Sequence, residues 1–148
     1  MKKLLLHLYR LFILFLIGGI AYMGIEMLWR GRTHWTMGIV GGLCFVLIGL
    51  INEVFTFEMY MLVQAIIGAL LVTIVEYISG MIINVHFNLG VWDYSNLPFN
   101  IHGQVCLLFS ILWVFLSILA IYIDDVLRNK LFNEPIHKYK WLIFKHLN

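Results

Sequence analysis

The chain has 148 residues, of which 62% are hydrophobic and only 12% are charged, with a formal net charge of +2. A soluble domain carries about twice that charged fraction, so a soluble globular protein is excluded. The length leaves no room for a separate soluble domain, and no Walker-type phosphate loop occurs, so the chain cannot use ATP by that route.

Long apolar runs follow one another along the chain, and runs near 20 residues are typical of membrane-spanning helices. We predict four spans, over about residues 8–29, 36–52, 59–84 and 104–123. Short turns join the first two and the second two, and a longer loop covers residues 85–103. The predicted fold is all-α: an integral membrane four-helix bundle occupying residues 1–125.

The distribution of basic residues predicts the topology. Four spans place both ends of the chain on one side of the membrane. Lys and Arg cluster at the two ends, and only Arg30 and Arg32 lie between. The positive-inside rule therefore predicts a multi-pass protein of the cell membrane with both termini cytoplasmic. The 85–103 loop then faces outward, with Trp92, Tyr94 and Phe99 at the interface.

The last segment, residues 126–148, differs in kind from the spans. Ile136, Tyr139, Leu142, Ile143 and Leu147 follow Pro135 at roughly helical spacing, among basic residues. This pattern favours a cytoplasmic amphipathic helix that lies on anionic lipid. The alternative is a frayed, solvated tail.

One glutamate lies well inside the third span. Glu76 belongs to a stripe of small and polar residues at helical spacing, namely Ala65, Gly68, Ala69, Thr73, Ser79 and Gly80. Small residues let helices approach closely in lipid, so this stripe should face protein. Glu76 then either forms hydrogen bonds across helices as a structural group or serves a ligand, an ion or a proton.

A second glutamate lies in the first span. Glu26 shares a helical face with Tyr22 and Arg30, and Arg30 is one turn further on, so an ion pair within the helix is feasible. The alternative is an acidic site formed by Glu26 and Glu76 together. Two neighbouring carboxylates favour a proton, a metal ion or an organic cation.

Other polar residues give weaker signals. Gly42, Gly49 and Glu53 share a face of the second span, and the fourth span carries Ser110, Trp113, Ser117 and Asp124 on a related face. Close helix packing is the simplest interpretation.

His34, His86 and His102 lack metal-ligand spacing, so metal binding stays unknown. Cys44 and Cys106 are typical of buried packing residues, although a disulfide stays open.

The outward loop contains Trp92-Asp93-Tyr94-Ser95. Asp followed by Ser favours a tight turn in which Asp93 accepts backbone N–H bonds. Trp92 and Tyr94 would then form a lid over the mouth of the bundle. The alternative is a purely structural loop.

Several of these motifs together resemble a known family. They are Thr73-x-x-Glu76-Tyr77-x-Ser79, Trp92-Asp93-Tyr94-Ser95, Asn100-x-x-Gly103, and Gly24-x-Glu26-x-x-Trp29-Arg30. The chain resembles the CmpB-like permeases, an ABC-transporter type IV family of small multi-span bacterial proteins. It departs from the family pattern in the second span, at residues 33–36 and 41–45, and at Gln104.

We therefore expect a small permease-like transport component or a protein that binds a small cationic or polar ligand. The expected ligand-binding set is Glu26, Glu76, Arg30, Asp93, Tyr94, Trp92 and Tyr22, with no catalytic residues and the cofactor unknown. Expected partners are the lipid bilayer and either further copies or a separate membrane or ATPase subunit, with no nucleic acid. The alternatives are a non-transport scaffold, sensor or assembly factor, and an enzyme acting on lipid, for which the sequence offers no nucleophile.

Overall fold

The computed structural model describes residues 1–55, 59–137 and 139–140. This part of the chain contains four helices that are long and apolar enough to cross a membrane. They are α1 (Lys2–Arg30), α2 (Trp35–Val54), α3 (Met61–Gly80), which continues as a π-helical segment (Met81–His86), and α4 (Leu107–Phe132). A short antiparallel hairpin, β1 (Asn100–Ile101) with β2 (Val105–Cys106), precedes α4. The predicted all-α membrane bundle is confirmed.

Local signals explain where the helices end. Gly31 adopts a left-handed conformation, φ 67°, and its amide donates to the Met27 carbonyl, as is common one residue past a helix. Asn133 ends α4 in the same way, with φ 55°. His34 caps the start of α2, because its ring accepts a hydrogen bond from the Thr36 amide. We call the end of the bundle that contains residues 31–34 and 87–106 the loop end. We call the opposite end, where α1 begins and α4 ends, the terminal end.

Glycines set the packing between helices. α1 packs along α2, and α3 packs along α4. A Cβ at Gly19 would lie 2.4 Å from the Gly38 carbonyl oxygen, so the α1 and α2 backbones nearly touch. A Cβ at Gly68 of α3 would lie 2.8 Å from Oγ of Ser117 in α4. Close approach of this kind is how helices associate in lipid.

The small-residue stripe predicted for the third span faces protein. Ala65, Gly68, Ala69, Glu76 and Gly80 are all buried. An apolar core beside it contains Val40, Cys44, Ile48, Met61, Val72 and Ile121. Cys44 and Cys106 are both buried free thiols, so the disulfide left open by the sequence does not form.

Helix α4 continues past its predicted end at Ile123 to Phe132. Three charged residues of this extra length, Asp124, Asp125 and Arg128, are buried and have polar partners, whereas Lys130 is exposed. The buried contacts explain why a polar segment continues the helix. Residues Asn133–His137 are not helical. The remainder of the predicted amphipathic helix, Lys138 and residues 141–148, lies outside the described residues, so that helix stays a prediction. Lys140 returns to the start of α3, where its carbonyl accepts a 2.8 Å bond from the Met61 amide.

Candidate functional site

The carboxyl group of Glu76 lies at the loop end, in the half of α3 that leads into the π-helical segment. Glu76 as a whole is only 3% exposed. The Tyr94 hydroxyl donates to Oε1 at 3.0 Å, and Trp113 Nε1 donates to Oε2 at 3.0 Å. Each carboxyl oxygen therefore has one donor, and both donors are electrically neutral.

No basic side chain pairs with Glu76 anywhere in the described ranges. Burying an ionised carboxylate costs several kcal/mol unless an opposite charge or several hydrogen bonds compensate for the lost hydration. Two neutral donors supply part of that compensation. The position is therefore suited to a positive charge or a proton from outside the chain.

Aromatic rings surround this carboxyl. Tyr22 of α1 stacks on Trp113 with ring centres 5.9 Å apart, and Tyr94 stacks on Phe109 with centres 4.6 Å apart. Residues from α1, α3, α4 and the loop thus meet around one acidic group.

Glu26 has a different environment, although it is also buried, at 7% exposed. Arg30, one turn further along α1, forms an ion pair with its Oε1, as the spacing predicts. Oε2 accepts a 2.7 Å bond from Thr33 in the following turn. Arg30 also donates to the Val91 carbonyl at 3.2 Å. Glu26 and Arg30 therefore connect the end of α1 to the loop that carries Tyr94.

The two glutamates belong to neighbouring groups rather than to one shared set of hydrogen bonds. Within the described residues, α1 and α3 make no extensive backbone contact. An acidic pair at short range stays a prediction.

The loop is built around Asp93 and Trp92. Oδ1 of Asp93 accepts a 2.8 Å bond from the Ser95 amide, which is the tight turn that the sequence predicts. Bonds from the Ser95 hydroxyl and amide hold the pKa of Asp93 below its usual value. Trp92 is 3% exposed and donates to the Gln104 carbonyl at 2.9 Å. The expectation that Trp92 lies at the interface is therefore wrong, because its indole fills the inside of the loop.

The Tyr94 side chain is positioned by the hairpin. Its amide donates to the Gly103 carbonyl at 2.7 Å. Burial, and then the charge of Glu76, raises the pKa of the Tyr94 hydroxyl above its usual value. The hydroxyl therefore keeps its proton and remains a donor to Glu76 at physiological pH.

The histidines do not gather at the loop end. His34 caps α2, His102 lies 3.0 Å from the Tyr77 hydroxyl, and His86 packs edge-on against Phe87. Among the residues that the structure describes, no three His, Cys, Asp or Glu side chains lie together as metal ligands.

A second buried charge cluster lies at the terminal end, and the sequence did not predict it. Arg128 is 3% exposed and donates to Asp124 at 2.6 Å. It also lies 3.6 Å from Glu53 and 3.4 Å from Glu134, and Glu134 in turn pairs with Arg10. One buried guanidinium therefore joins α2, α4 and the segment that follows α4.

Asp125, the neighbour of Asp124, holds the tail against the bundle. It accepts hydrogen bonds from Asn52 at 3.4 Å and from Tyr139, and His137 lies 3.3 Å away. Burial, and then the bond to Asp125, raises the pKa of the Tyr139 hydroxyl. This cluster forms the polar closure of the terminal end.

Sequence reasoning left Trp113 and Thr33 out of the site. Trp113 shares a face with Ser110 and Ser117, so its direction toward α3 was readable, but its contact with Glu76 was not. The spacing of Asp124 and Arg128, one helical turn, is a signal that could have revealed the second cluster.

The fold and the site together define a four-span helical membrane protein with a buried carboxyl group near one end. The chain belongs to the family described as "Putative ABC-transporter type IV", which it matches over residues 11–147. A search of curated proteins and a search of solved structures each found no match. The resemblance seen in the sequence is confirmed, and the protein is an ABC-transporter-related, multi-pass membrane protein.

Proposed function

We propose that this protein is a permease-like transport component that binds a small cationic ligand at Glu76. The observation that carries the proposal is a buried carboxyl group with two neutral donors and no basic partner in the described chain. A cation would supply the missing charge compensation. Glu26 would add to the negative field, while its own charge is largely balanced by Arg30.

The chemistry of the surrounding rings favours an organic cation. Aromatic faces attract cations, and sites for alkylated ammonium groups commonly combine aromatic rings with an acid. Tyr22, Tyr94 and Trp113 supply such rings beside Glu76. An ammonium carrying methyl groups would contact these rings and still approach the carboxylate.

Tyr94 would act as the lid of the site. It lies on a loop rather than on a helix, and its hydroxyl occupies one carboxyl oxygen. A ligand arriving from the loop end would displace this hydroxyl and take its place. Asp93 would set the turn that presents Tyr94, Trp92 would anchor the loop, and Arg30 would hold it through Val91.

The proposal includes an orientation and partners. We place the protein in the cell membrane with both termini cytoplasmic, because the basic residues cluster at the two ends of the chain. The Glu76 site would then open outward. Four helices enclose little volume, so we propose that the chain works as an oligomer or beside a separate ATPase subunit, and not as an enzyme.

Internal packing supports this proposal over a scaffold. A scaffold that binds partners through glycine faces needs those faces free. Gly19, Gly42 and Gly68 instead pack against residues of this same chain. A Cβ atom at any of these positions would lie less than 3 Å from a neighbouring atom.

An equilibrium titration of the protein in nanodiscs tests the proposal. Choline is compared with 3,3-dimethylbutan-1-ol, its neutral isostere. We expect choline to bind and the alcohol not to bind, and Glu76→Gln to weaken choline binding at least tenfold, about 1.4 kcal/mol. Glu53→Gln, at the terminal end, is the control and should bind as wild type does. Equal binding of both compounds, or no effect of Glu76→Gln, would overturn the proposal.

A further inference from the structure

A groove lies between the first turns of α1 and the last turn of α4, at the terminal end. Leu6, Tyr9, Arg10 and Ile13 line it from α1, and Leu131 and Phe132 line it from α4. Its volume is about 480 Å³, within the range of about 300–1,000 Å³ that is typical of ligand pockets. We call it the α1–α4 groove.

The length of α1 places this groove at the edge of the membrane. α1 has 29 residues, which corresponds to about 43 Å, whereas the hydrocarbon core is about 30 Å thick. If the end at Trp29 and Arg30 marks one interface, Arg10 lies near the other. The groove therefore spans the boundary between acyl chains and headgroups.

Three lysines are close in sequence to residues that line the groove. Lys2 and Lys3 lie about one turn before Leu6 on α1, and Lys130 lies beside Leu131 on α4. All three are exposed, and none forms an ion pair with another part of the described chain. Free lysines at an interface attract anionic headgroups.

The wall of the groove has both a polar and an apolar part. The Arg10 guanidinium lies over the Phe132 ring, 5.4 Å from its centre, and pairs with Glu134. Its Nε has no hydrogen-bond partner within the described ranges. Beside it, Leu6, Ile13 and Leu131 offer only hydrocarbon. Nearby lysines and an apolar wall match a molecule with an anionic head and a hydrocarbon chain.

We propose that the α1–α4 groove binds one anionic phospholipid. The phosphate lies among Lys2, Lys3 and Lys130, and an acyl chain lies along Leu6 and Ile13. The bound lipid fills the groove and links the first turns of α1 to the last turn of α4. This site is separate from Glu76 and does not depend on the ligand proposed there.

Delipidated full-length protein in neutral detergent is titrated with phosphatidylglycerol or with phosphatidylcholine of the same acyl chains. Native mass spectrometry counts the lipid retained, and the unfolding midpoint is recorded. We expect phosphatidylglycerol to be retained at one copy per chain and to raise the midpoint, with less effect at high salt. Lys3→Gln and Lys130→Gln should each weaken its binding about fivefold. Arg32→Gln, an exposed cation at the loop end, should not.

The groove itself is tested by size. Leu6→Trp fills it and should abolish retention, whereas Leu4→Trp, exposed on the same helix outside the groove, should not. The midpoint without lipid shows that each variant is folded. Equal retention of phosphatidylcholine would show a nonselective lipid seam and overturn the proposal. Equal losses in Arg32→Gln and Lys130→Gln would show general charge attraction and would also overturn it.

Discussion

The Tyr94 hydroxyl donates a 3.0 Å hydrogen bond to the carboxyl group of Glu76, so a loop residue reaches an acid inside the bundle. The two residues come from different structural layers: Glu76 from a helix that is long and apolar enough to span the membrane, and Tyr94 from the connection between α3 and α4. This contact makes the loop part of the site rather than a simple linker. Under the proposed function, the loop is the part of the site that opens to admit the ligand.

Tyr94→Phe removes the hydroxyl and leaves one oxygen of a buried carboxyl group without its donor. Because the stacking on Phe109 is kept, we expect a loss of about 1–3 kcal/mol in unfolding free energy. Denaturant unfolding in detergent micelles measures it. Tyr77→Phe is the control, since that hydroxyl bonds to the exposed ring of His102, and it should change stability by less than about 0.5 kcal/mol. Equal effects in the two variants would contradict the role of Tyr94.

Trp113→Phe removes the second donor, and its effect should depend on the first. Tyr94 and Trp113 share one carboxyl group, so their contributions are coupled. A double-mutant cycle with Tyr94→Phe should give an interaction energy of about 0.5–3 kcal/mol. Additive losses would mean that the two donors do not act on the same charge.

Arg128→Met should be strongly destabilising. The guanidinium lies among the carboxylates of Asp124, Glu53 and Glu134. Its loss leaves the buried Asp124 carboxylate, and the two acids near it, without the positive charge that pairs with them. Breaking a buried ion pair costs about 3–5 kcal/mol. Lys130→Met, two residues later and exposed, should change the unfolding free energy by no more than about 0.5 kcal/mol in the absence of added lipid. A small effect of Arg128→Met would show that the cluster is solvated.

Gly49→Ala should disrupt the terminal end. A Cβ at Gly49 would lie 2.4 Å from the carboxyl carbon of Asp124, whose residue is 0% exposed and has no room to retreat. We expect a lower unfolding midpoint, with a cost of about 1–3 kcal/mol from overpacking. Gly24→Ala is the matched control, because nothing lies within 4 Å of its Cβ position. It should be neutral or slightly stabilising through helix propensity.

The turn at Asp93 should loosen in acid. Its pKa is held below the usual value by the bonds from Ser95, so the turn gains stability above the ordinary pKa of about 3.9. That stability is lost as the pH falls through the lower pKa that Asp93 has in the folded protein. Amide exchange at Ser95, corrected for intrinsic rates, measures the loss. Asp93→Asn can still accept the bonds but does not titrate, so its protection should stay constant where that of the wild type falls.

The spans were predictable from sequence because an apolar run of sufficient length has few other stable states. The stripe around Glu76 and the ion pair of Glu26 with Arg30 were predictable because helical spacing fixes which side chains are neighbours. Those contacts are local, and both are found in the structure.

The sequence grouped Tyr94 with Glu76 in the expected site, but it did not predict the hydrogen bonds that Tyr94 and Trp113 donate to Glu76, because these residues lie 18 and 37 residues away. Their contact depends on how α4 is rotated and on how the loop folds back, and no local pattern encodes either. The terminal cluster was missed for another reason. Charged residues after Ile123 were assigned to the water side of the membrane, where Arg128 would have needed no buried partner.

The central claim, that the Glu76 carboxylate holds an organic cation, is tested most directly by infrared difference spectroscopy. Choline added to the wild-type protein should shift a carboxylate stretching band. That band should be absent from the spectrum of Glu76→Gln, and 3,3-dimethylbutan-1-ol should produce no such shift. If choline gives the same difference spectrum in Glu76→Gln as in the wild type, the cation is not held by Glu76.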